Sequence, residues 1–384
     1  MQAYLDNSAT TMVRPEIADG MARIMTSNYG NPSSAHHMGV EAEKVLIDAR
    51  KIISQTLSCG ENEILFTSGG TESDNLAIVG AAMAYRREAK TVITTQVEHP
   101  AVMESMRYLA DQGFEVMYLP VNKDGALKLE SLENAVNEDT LLVSVMHVNN
   151  EIGAVNDLRA IGEIIKNKNP KALFHVDDVQ GYGKFRTNVN HDKIDLLSVS
   201  GHKIHGPKGV GFLYHRNGVR LRNLIFGGGQ QGNLRSGTEN VPGIYGMGAA
   251  AKAAYKDLDT DAERMYALKT RLEERLLENE NVFLNEPRGH QGAPHIVSAS
   301  IEGVRAEVFL HALEDKGVYV SSGSACSSNR PHISTVLTAI GLKKELLDST
   351  IRFSLSAMTT EEEIEYAAQC VSEIMPVLRK YRRS

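Results

Sequence analysis

The sequence predicts an α/β protein with a mostly parallel central sheet in a large domain and a smaller α+β domain after it. Three observations lead there. Over roughly the first two thirds of the chain, short apolar runs alternate with helix-length stretches, the pattern of βα units. From about residue 250 the texture changes to a long charged stretch, 250–280, that reads as helix. A length of 384 residues suits two domains, or one large and one small. The expected division is residues 14–255 for the large domain, with 1–13 and 256–384 forming the small one.

In chain order the candidate strands are 64–67, 91–94, 115–118, 141–145, 173–176, 196–199 and 210–214, joined by connections that carry Gly, Asn and Asp. Between them, 75–87 and 158–168 repeat apolar residues every three or four positions and are expected to be helical. In the charged stretch Leu268, Leu272 and Leu276 share one helical face. Strands are expected again at 296–300 and 318–321, and the last helix is expected to start at Thr360, with Glu363 completing a capping box.

The bulk properties exclude several classes. A net charge of −7 and a pI near 6.0 leave no electrostatic footprint for nucleic acid. The basic end, residues 379–383, reads as a last helical turn whose cations complement the dipole, with a docking patch for a partner or RNA as the alternative. The three cysteines, Cys59, Cys326 and Cys370, show no zinc or redox spacing, which fits a reduced cytoplasm. Neither a signal peptide nor a membrane span is apparent, so a soluble cytoplasmic protein is expected.

Chemistry concentrates at the ends of the expected strands. Ser200-Gly201-His202-Lys203 follows an apolar run, and a lysine desolvated there is a candidate amine nucleophile. Asp177 closes another run and could pair with the ring nitrogen of pyridoxal phosphate, whose aldehyde Lys203 would capture. Thr67 to Asn75 spans a strand-to-helix turn whose glycines, Gly69 and Gly70, would let free N–H groups hold a phosphate; an ordinary capped turn is the alternative. His99 could lie on a cofactor ring and shuttle protons, or be structural. Arg352 interrupts an apolar run and needs an anion, either a substrate carboxylate or an internal salt bridge.

Cys326 sits among four serines and a glycine, a setting that favours reactivity over a core role, whereas Cys370 falls on the apolar face of the last helix. Gly227 to Gly232 matches a dinucleotide fingerprint in letters only, since it opens no helix, and reads as a flexible loop. The histidine pairs are not joined by a carboxylate or cysteine at ligand spacing, so no metal site is expected.

With these residues in view the chain resembles the cysteine desulfurases, a branch of the class V aminotransferases within fold type I of the pyridoxal phosphate enzymes. The likeness is carried by 4–11, Tyr29-Gly30-Asn31-Pro32-Ser33-Ser34, Thr71-Glu72-Ser73-Asp74-Asn75, 147–153, Ser200-Gly201-His202-Lys203 and Arg235-Ser236-Gly237-Thr238, and it runs almost the whole length. The segment 321–326 is similar to that of group I members, which have a longer cysteine loop.

That resemblance implies that Lys203 binds the cofactor's aldehyde carbon, Asp177 its ring nitrogen, His99 its ring face and Gln180 its phenolic oxygen. Gly70, Thr71, Ser200 and His202 would surround the phosphate, with Thr238 supplied by a second subunit of a homodimer. Asn7, Asn150 and Arg352 would receive the carboxylate of L-cysteine, and Cys326 would attack its sulfur. The reaction implied is conversion of L-cysteine to L-alanine with sulfur carried as a persulfide on Cys326 to a protein acceptor, in iron–sulfur assembly or tRNA thiolation. The alternatives are a selenocysteine lyase or another class V aminotransferase and, outside enzymes, a sulfur-carrier or scaffold subunit. Two departures stand out: Gly70 and Asp178 occupy positions where many relatives carry alanine, and Asp178 adds a charge beside Asp177.

Overall fold

A computed structural model of the protein describes residues 1–322 and 333–380. Its strands are β1 (Ala3–Tyr4), β2 (Ile64–Thr67), β3 (Thr91–Thr95), β4 (Glu115–Leu119), β5 (Thr140–Met146), β6 (Leu173–Asp177), β7 (Leu196–Ser200) and β8 (Gly211–His215). After them come β9 (Val282–Leu284), β10 (Ile296–Ile301), β11 (Val318–Tyr319), β12 (Ser321–Ser322) and β13 (Thr350–Ser354). The seven strands expected in the first two thirds all form, and they make one sheet in the order β2-β8-β7-β6-β5-β3-β4.

The pairs from β7 through β4 are parallel. Strand β8 runs against both of its neighbours, so β2 points the same way as the rest. The carboxyl ends of β2, β3, β5, β6 and β7 therefore open on a single edge of the sheet, where ligands of open α/β sheets bind.

Burial explains why the central strands read as unbroken apolar runs: every residue of β5, β6 and β7 is buried, with helices packed on both faces. Ile53, Phe174, Phe212 and Tyr214 belong to the core on one face, and Leu65, Ile78, Val102 and Met106 to the core on the other. Each such side chain contributes about 1.5–3 kcal/mol on burial. The edge strand β4 is partly exposed.

The small sheet, β12-β13-β10-β9, is antiparallel and packs on the helices Leu258–Leu277 and Glu361–Lys380 around a core of its own. The last helix opens as expected. The Thr360 N–H donates to Glu363 Oε2 (2.9 Å), and the Glu363 N–H donates to Thr360 Oγ1 (3.3 Å). Cys370 is buried on its apolar face.

Three expectations on element bounds need correction. The first crossover helix begins at Gly70 and not at 75, running Gly70–Asn75, through a π-type turn at Leu76–Gly80, to Ala81–Tyr85. Its opening turn is polar and so shows no apolar period. Gly69, at φ 153°, makes the break from β2, and a 2.8 Å hydrogen bond between the Thr67 and Ser73 hydroxyls secures it. The charged stretch is two helices, Val241–Lys256 and Leu258–Leu277, separated where Asp257 leaves helical geometry. The strand expected at 318–321 is divided between two partners, β11 pairing with β1 and β12 with β13. Among the described residues no helix is long and apolar enough to cross a membrane.

Candidate active site

At the carboxyl edge of the large sheet, consecutive strand ends deliver the residues singled out above. Asp177 is the last residue of β6, only 5% exposed, and its Oδ1 accepts the Val179 N–H at 3.0 Å. Burial pushes its carboxyl up, the nearby His99 ring and Lys203 amine oppose this, and Asp178 adds to it. His99 follows β3 and caps the helix Pro100–Asp111. Its Nδ1 accepts the Ala101 N–H at 3.2 Å, which leaves the proton of the neutral ring on Nε2. Burial lowers the basicity of this imidazole, Asp177 raises it and Lys203 lowers it further.

Lys203 ends a short turn, Gly201–Lys203, directly after β7. Its Nζ donates to the carbonyl oxygens of Ser8 and Ala9, the latter at 2.8 Å, so the N-terminal segment forms one wall of the pocket. The same segment is tied to the turn by Thr11, whose N–H and hydroxyl both donate to the His202 carbonyl at 2.9 Å. His202 Nδ1 lies 3.2 Å from Thr10 Oγ1, and burial with the neighbouring lysines brings its pKa down to about 4, a neutral ring.

The anion cradle is built from β2 and the helix after it, with Ser200 close by. A Cβ added at Gly69 would stand 3.6 Å from Ser200 Oγ. One at Gly70 would meet Val179 Cγ2 at 2.7 Å. The glycine at 70 thus makes room for Val179, one of the two residues between Asp177 and Gln180. The second departure is also answered locally. Asp178 is fully buried, its Oδ1 pairs with His147 Nδ1 at 2.6 Å and its Oδ2 accepts the Thr187 hydroxyl at 3.3 Å, so its charge is engaged away from the pocket. Gly181 is required by this pair, because a Cβ there would lie 2.2 Å from Asp178 Oδ1.

Gln180 donates from Nε2 to the Ser8 carbonyl (3.0 Å), and its Oε1 faces His295 Nε2 at 3.3 Å. Arg352 makes the internal salt bridge, one of the two alternatives left open by the sequence. It lies in β13, 5% exposed, with Nη2 3.1 Å from Asp6 Oδ1 and Nη1 donating to the Asn150 carbonyl at 2.7 Å, while its buried Nε has no partner. Asn7 is buried, and its Nδ2 is engaged by the carbonyls of Tyr4 and Ser354 at 3.0 and 2.9 Å, leaving its Oδ1 for any further contact.

Thr238 is exposed in the loop after Arg235, which is anchored by a 2.9 Å ion pair to Glu72. The preceding glycine-rich stretch is a loop, pinned where Gln231 Oε1 accepts the Phe66 N–H at 3.1 Å. Cys326 lies outside the described residues. Its flanks do not: Ser322 pairs in register with Ile351, next to Arg352, and the Ser334 hydroxyl donates to Glu151 beside Asn150 (2.5 Å).

Several site residues escaped the sequence reading. Asp74, Glu98 and His175 lie buried around Asp177, and Lys184 donates from Nζ to the Lys203 carbonyl at 2.6 Å with its pKa brought down to about 7 by burial and by Lys203. Asn149 positions Asn150, its Oδ1 accepting the N–H groups of Glu151 and Ile152 while its Nδ2 holds the Val97 carbonyl at 3.0 Å. A signal for His175 was present, since it sits two positions before Asp177 in one strand and so on the same face.

The edge as a whole offers an amine, a carboxylate, a neutral imidazole and a set of hydroxyl and N–H donors around one space, which suits an anionic aromatic aldehyde. The aminotransferase class-V family profile matches residues 3–367. The cysteine desulfurase IscS of Methanosarcina thermophila is 44% identical over 378 residues, covering 98% of this chain and 92% of that protein. Among solved structures, a NifS-like protein aligns with a TM-score of 0.93 at 40% identity, covering 98% of this chain and 100% of the other. SspA, described as in complex with cysteine, aligns at 0.81 and 32% identity, covering 94% and 100%. The chain belongs to the class-V aminotransferases, in their cysteine desulfurase branch.

Proposed function

We propose that this protein is a pyridoxal phosphate-dependent cysteine desulfurase that converts L-cysteine to L-alanine and carries the sulfur as a persulfide on Cys326. The observation that bears most weight is the meeting of Lys203, Asp177 and His99 past the carboxyl ends of β7, β6 and β3 on one edge of the sheet, with a glycine turn and a helix start beside them. The pocket fits the cofactor on its own features. Asp177 is a buried carboxylate with one oxygen engaged by a backbone N–H, Ser8 Oγ is a buried hydroxyl with no protein partner, and the cradle at Gly69–Gly70 has helical N–H groups at its start.

Lys203 would hold the cofactor's aldehyde carbon, Asp177 the ring nitrogen, Gln180 the phenolic oxygen, and Thr71, Ser200 and His202 the phosphate. When bound, the cofactor supplies an electron sink for charge developing at the substrate's α-carbon. Lys203, with its amine free, would move the proton from that carbon. Asp177 keeps a proton on the ring nitrogen by remaining negative. His99, neutral and fixed through Nδ1, would turn its Nε2–H toward the substrate thiol as a hydrogen-bond donor, and the thiol proton stays on the sulfur that is transferred. Arg352 and Asn150 orient the substrate carboxylate. Cys326 as thiolate then bonds to the substrate sulfur as the carbon–sulfur bond breaks, so that cysteine and the Cys326 thiol become alanine and a Cys326 persulfide.

A homodimer completes the site in this reading, with Thr238 reaching the partner's phosphate. Its exposure supports that role, as do the exposed apolar side chains of Met25, Tyr29 and Phe226. The persulfide then passes to a protein acceptor. The reading is tested by mass spectrometry after incubation with cysteine. One added sulfur on the peptide bearing Cys326, with alanine released in equal amount, supports it. A keto acid product with no added sulfur would instead mean transamination.

A further inference from the structure

Behind Asp177 lie buried ionisable side chains that the chemistry above leaves unused. Asp74, on the helix after the phosphate cradle, is 1% exposed and its Oδ1 has no hydrogen-bond partner. One carboxylate oxygen each of Asp74 and Asp177 and one ring nitrogen of His99 lie within 4.8 Å of one another. His175 Nε2 stands 3.6 Å from Asp74 Oδ1, but its two nitrogens meet the hydroxyls of Ser144 (2.8 Å) and Ser198 (3.0 Å). Burial brings the pKa of that ring down to about 3, so it gives Asp74 no countercharge.

Two carboxyl groups this close in a dry space do not both ionise. Their partners decide which one does. Asp177 receives a backbone N–H and faces His99 and Lys203. Asp74 has the Ser198 hydroxyl and otherwise faces Asp177 and Glu98, both of which push its carboxyl well above the usual range on top of burial. The titratable groups around it are Asp177 and His175 on β6 and Glu98 and His99 ahead of the helix Pro100–Asp111; β7 presents Ser198.

We propose that Asp74 is a positioning residue, a carboxylic acid that stays protonated at neutral pH so that the single negative charge of this buried group rests on Asp177, facing the cofactor's ring nitrogen. The role rests on the pyridoxal phosphate reading given above. An asparagine at 74 reproduces the neutral acid in shape and charge, whereas an asparagine at 177 removes the charge itself.

Infrared difference spectra of the full chain, wild type against Asp74→Asn, test the protonation state with and without added pyridoxal phosphate. A protonated carboxyl band present in the wild type near neutral pH and missing from the variant is expected. In the loaded protein, Asp74→Asn keeps cofactor affinity and turnover within about threefold, while Asp177→Asn loses about 100-fold or more. The wild type shows an alkaline step in the cofactor's visible absorbance as Asp74 ionises, and the variant lacks it, a difference that a purely structural role would not produce. Absence of the band, or losses in Asp74→Asn equal to those in Asp177→Asn, overturns the proposal. Should Asp74→Asn fail to fold, carbon NMR of labelled aspartates in the wild type reads the same protonation, and a carboxyl at 74 titrating in the ordinary range overturns it. A wild type that takes up no pyridoxal phosphate would instead defeat the functional reading, leaving the infrared result standing.

Discussion

The carboxyl edge of the large sheet and the floor of the small sheet each bury a cluster of charges, and the two are equally dry. Around Asp177 the acids Asp74 and Glu98 are in excess, and the nearest imidazoles are held neutral or nearly so. Under the small sheet, Lys269 is 0% exposed and donates to the carbonyls of Pro287 (3.2 Å) and Ala293 (3.0 Å), 3.9 Å from Glu273. Arg288 pairs with Glu273 at 2.9 Å, and Glu286 accepts the Ser298 N–H at 2.9 Å. Both clusters contain carboxylate oxygens without a partner, and burial pushes both Glu98 and Glu286 up to about 8. Orphaned oxygens and shifted pKa values therefore do not separate a site from a structural network. Balance and position do: the small-sheet cluster matches acid with cation, and the large-sheet cluster leaves acids in excess on the edge where five parallel strand ends open.

The largest expected contrast comes from the two lysines. Lys203→Ala should lower cysteine turnover by about 10²–10⁴-fold or more and remove the visible absorbance of the purified protein, with little change in thermal melting. Lys269→Ala should do the reverse, costing about 3–5 kcal/mol of stability by breaking the buried ion pair to Glu273 and orphaning the Pro287 and Ala293 carbonyls, with turnover per folded molecule unchanged. Calorimetry and steady-state assay of both variants would break the comparison if the effects were exchanged.

A smaller effect is expected at the cradle. Gly70→Ala should cost about 1–3 kcal/mol through the clash with Val179 Cγ2, and the double variant with Val179→Ala should recover most of it, measured by denaturant unfolding. Full cost in the double variant would mean that the backbone, and not Val179, demands the glycine.

The last contrast appears only as pH changes. A carboxyl with its pKa raised from 4.5 to about 8 gives stability that is complete below 4.5 and lost as pH rises through about 8. Glu98→Gln and Glu286→Gln should each gain in melting temperature relative to wild type as pH rises through that window. His175, lowered from 6.5 to about 3, runs the other way: its stability is present above 6.5 and lost as pH falls toward 3. Melting curves across the range would show whether the two glutamates, so different in setting, titrate alike.

Much of this was legible in the chain. Strands buried on both faces announce themselves as short apolar runs, and residues that end them, such as Asp177 and those in the turn to Lys203, inherit their place from the parallel topology. What escaped depended on contacts across elements. Asp74 was hidden because the polar turn at 70–75 carries no apolar period, so its helix seemed to start later. The His147–Asp178 pair joins residues 31 positions apart, and no local pattern could reveal that an added charge is matched. For Arg352 the sequence correctly required an anion, yet could not tell that Asp6 would stand beside it.

Strand β1 pairs with β11, Ala3 beside Val318, and the Ser354 N–H donates to the Leu5 carbonyl at 2.7 Å. The stretch that receives the Lys203 amine is thus held in place by residues translated more than three hundred codons later. The pocket gains its last wall only after residues beyond 350 have been made, so loading earlier in synthesis is disfavoured, and nascent fragments released before that point would emerge without a closed chamber.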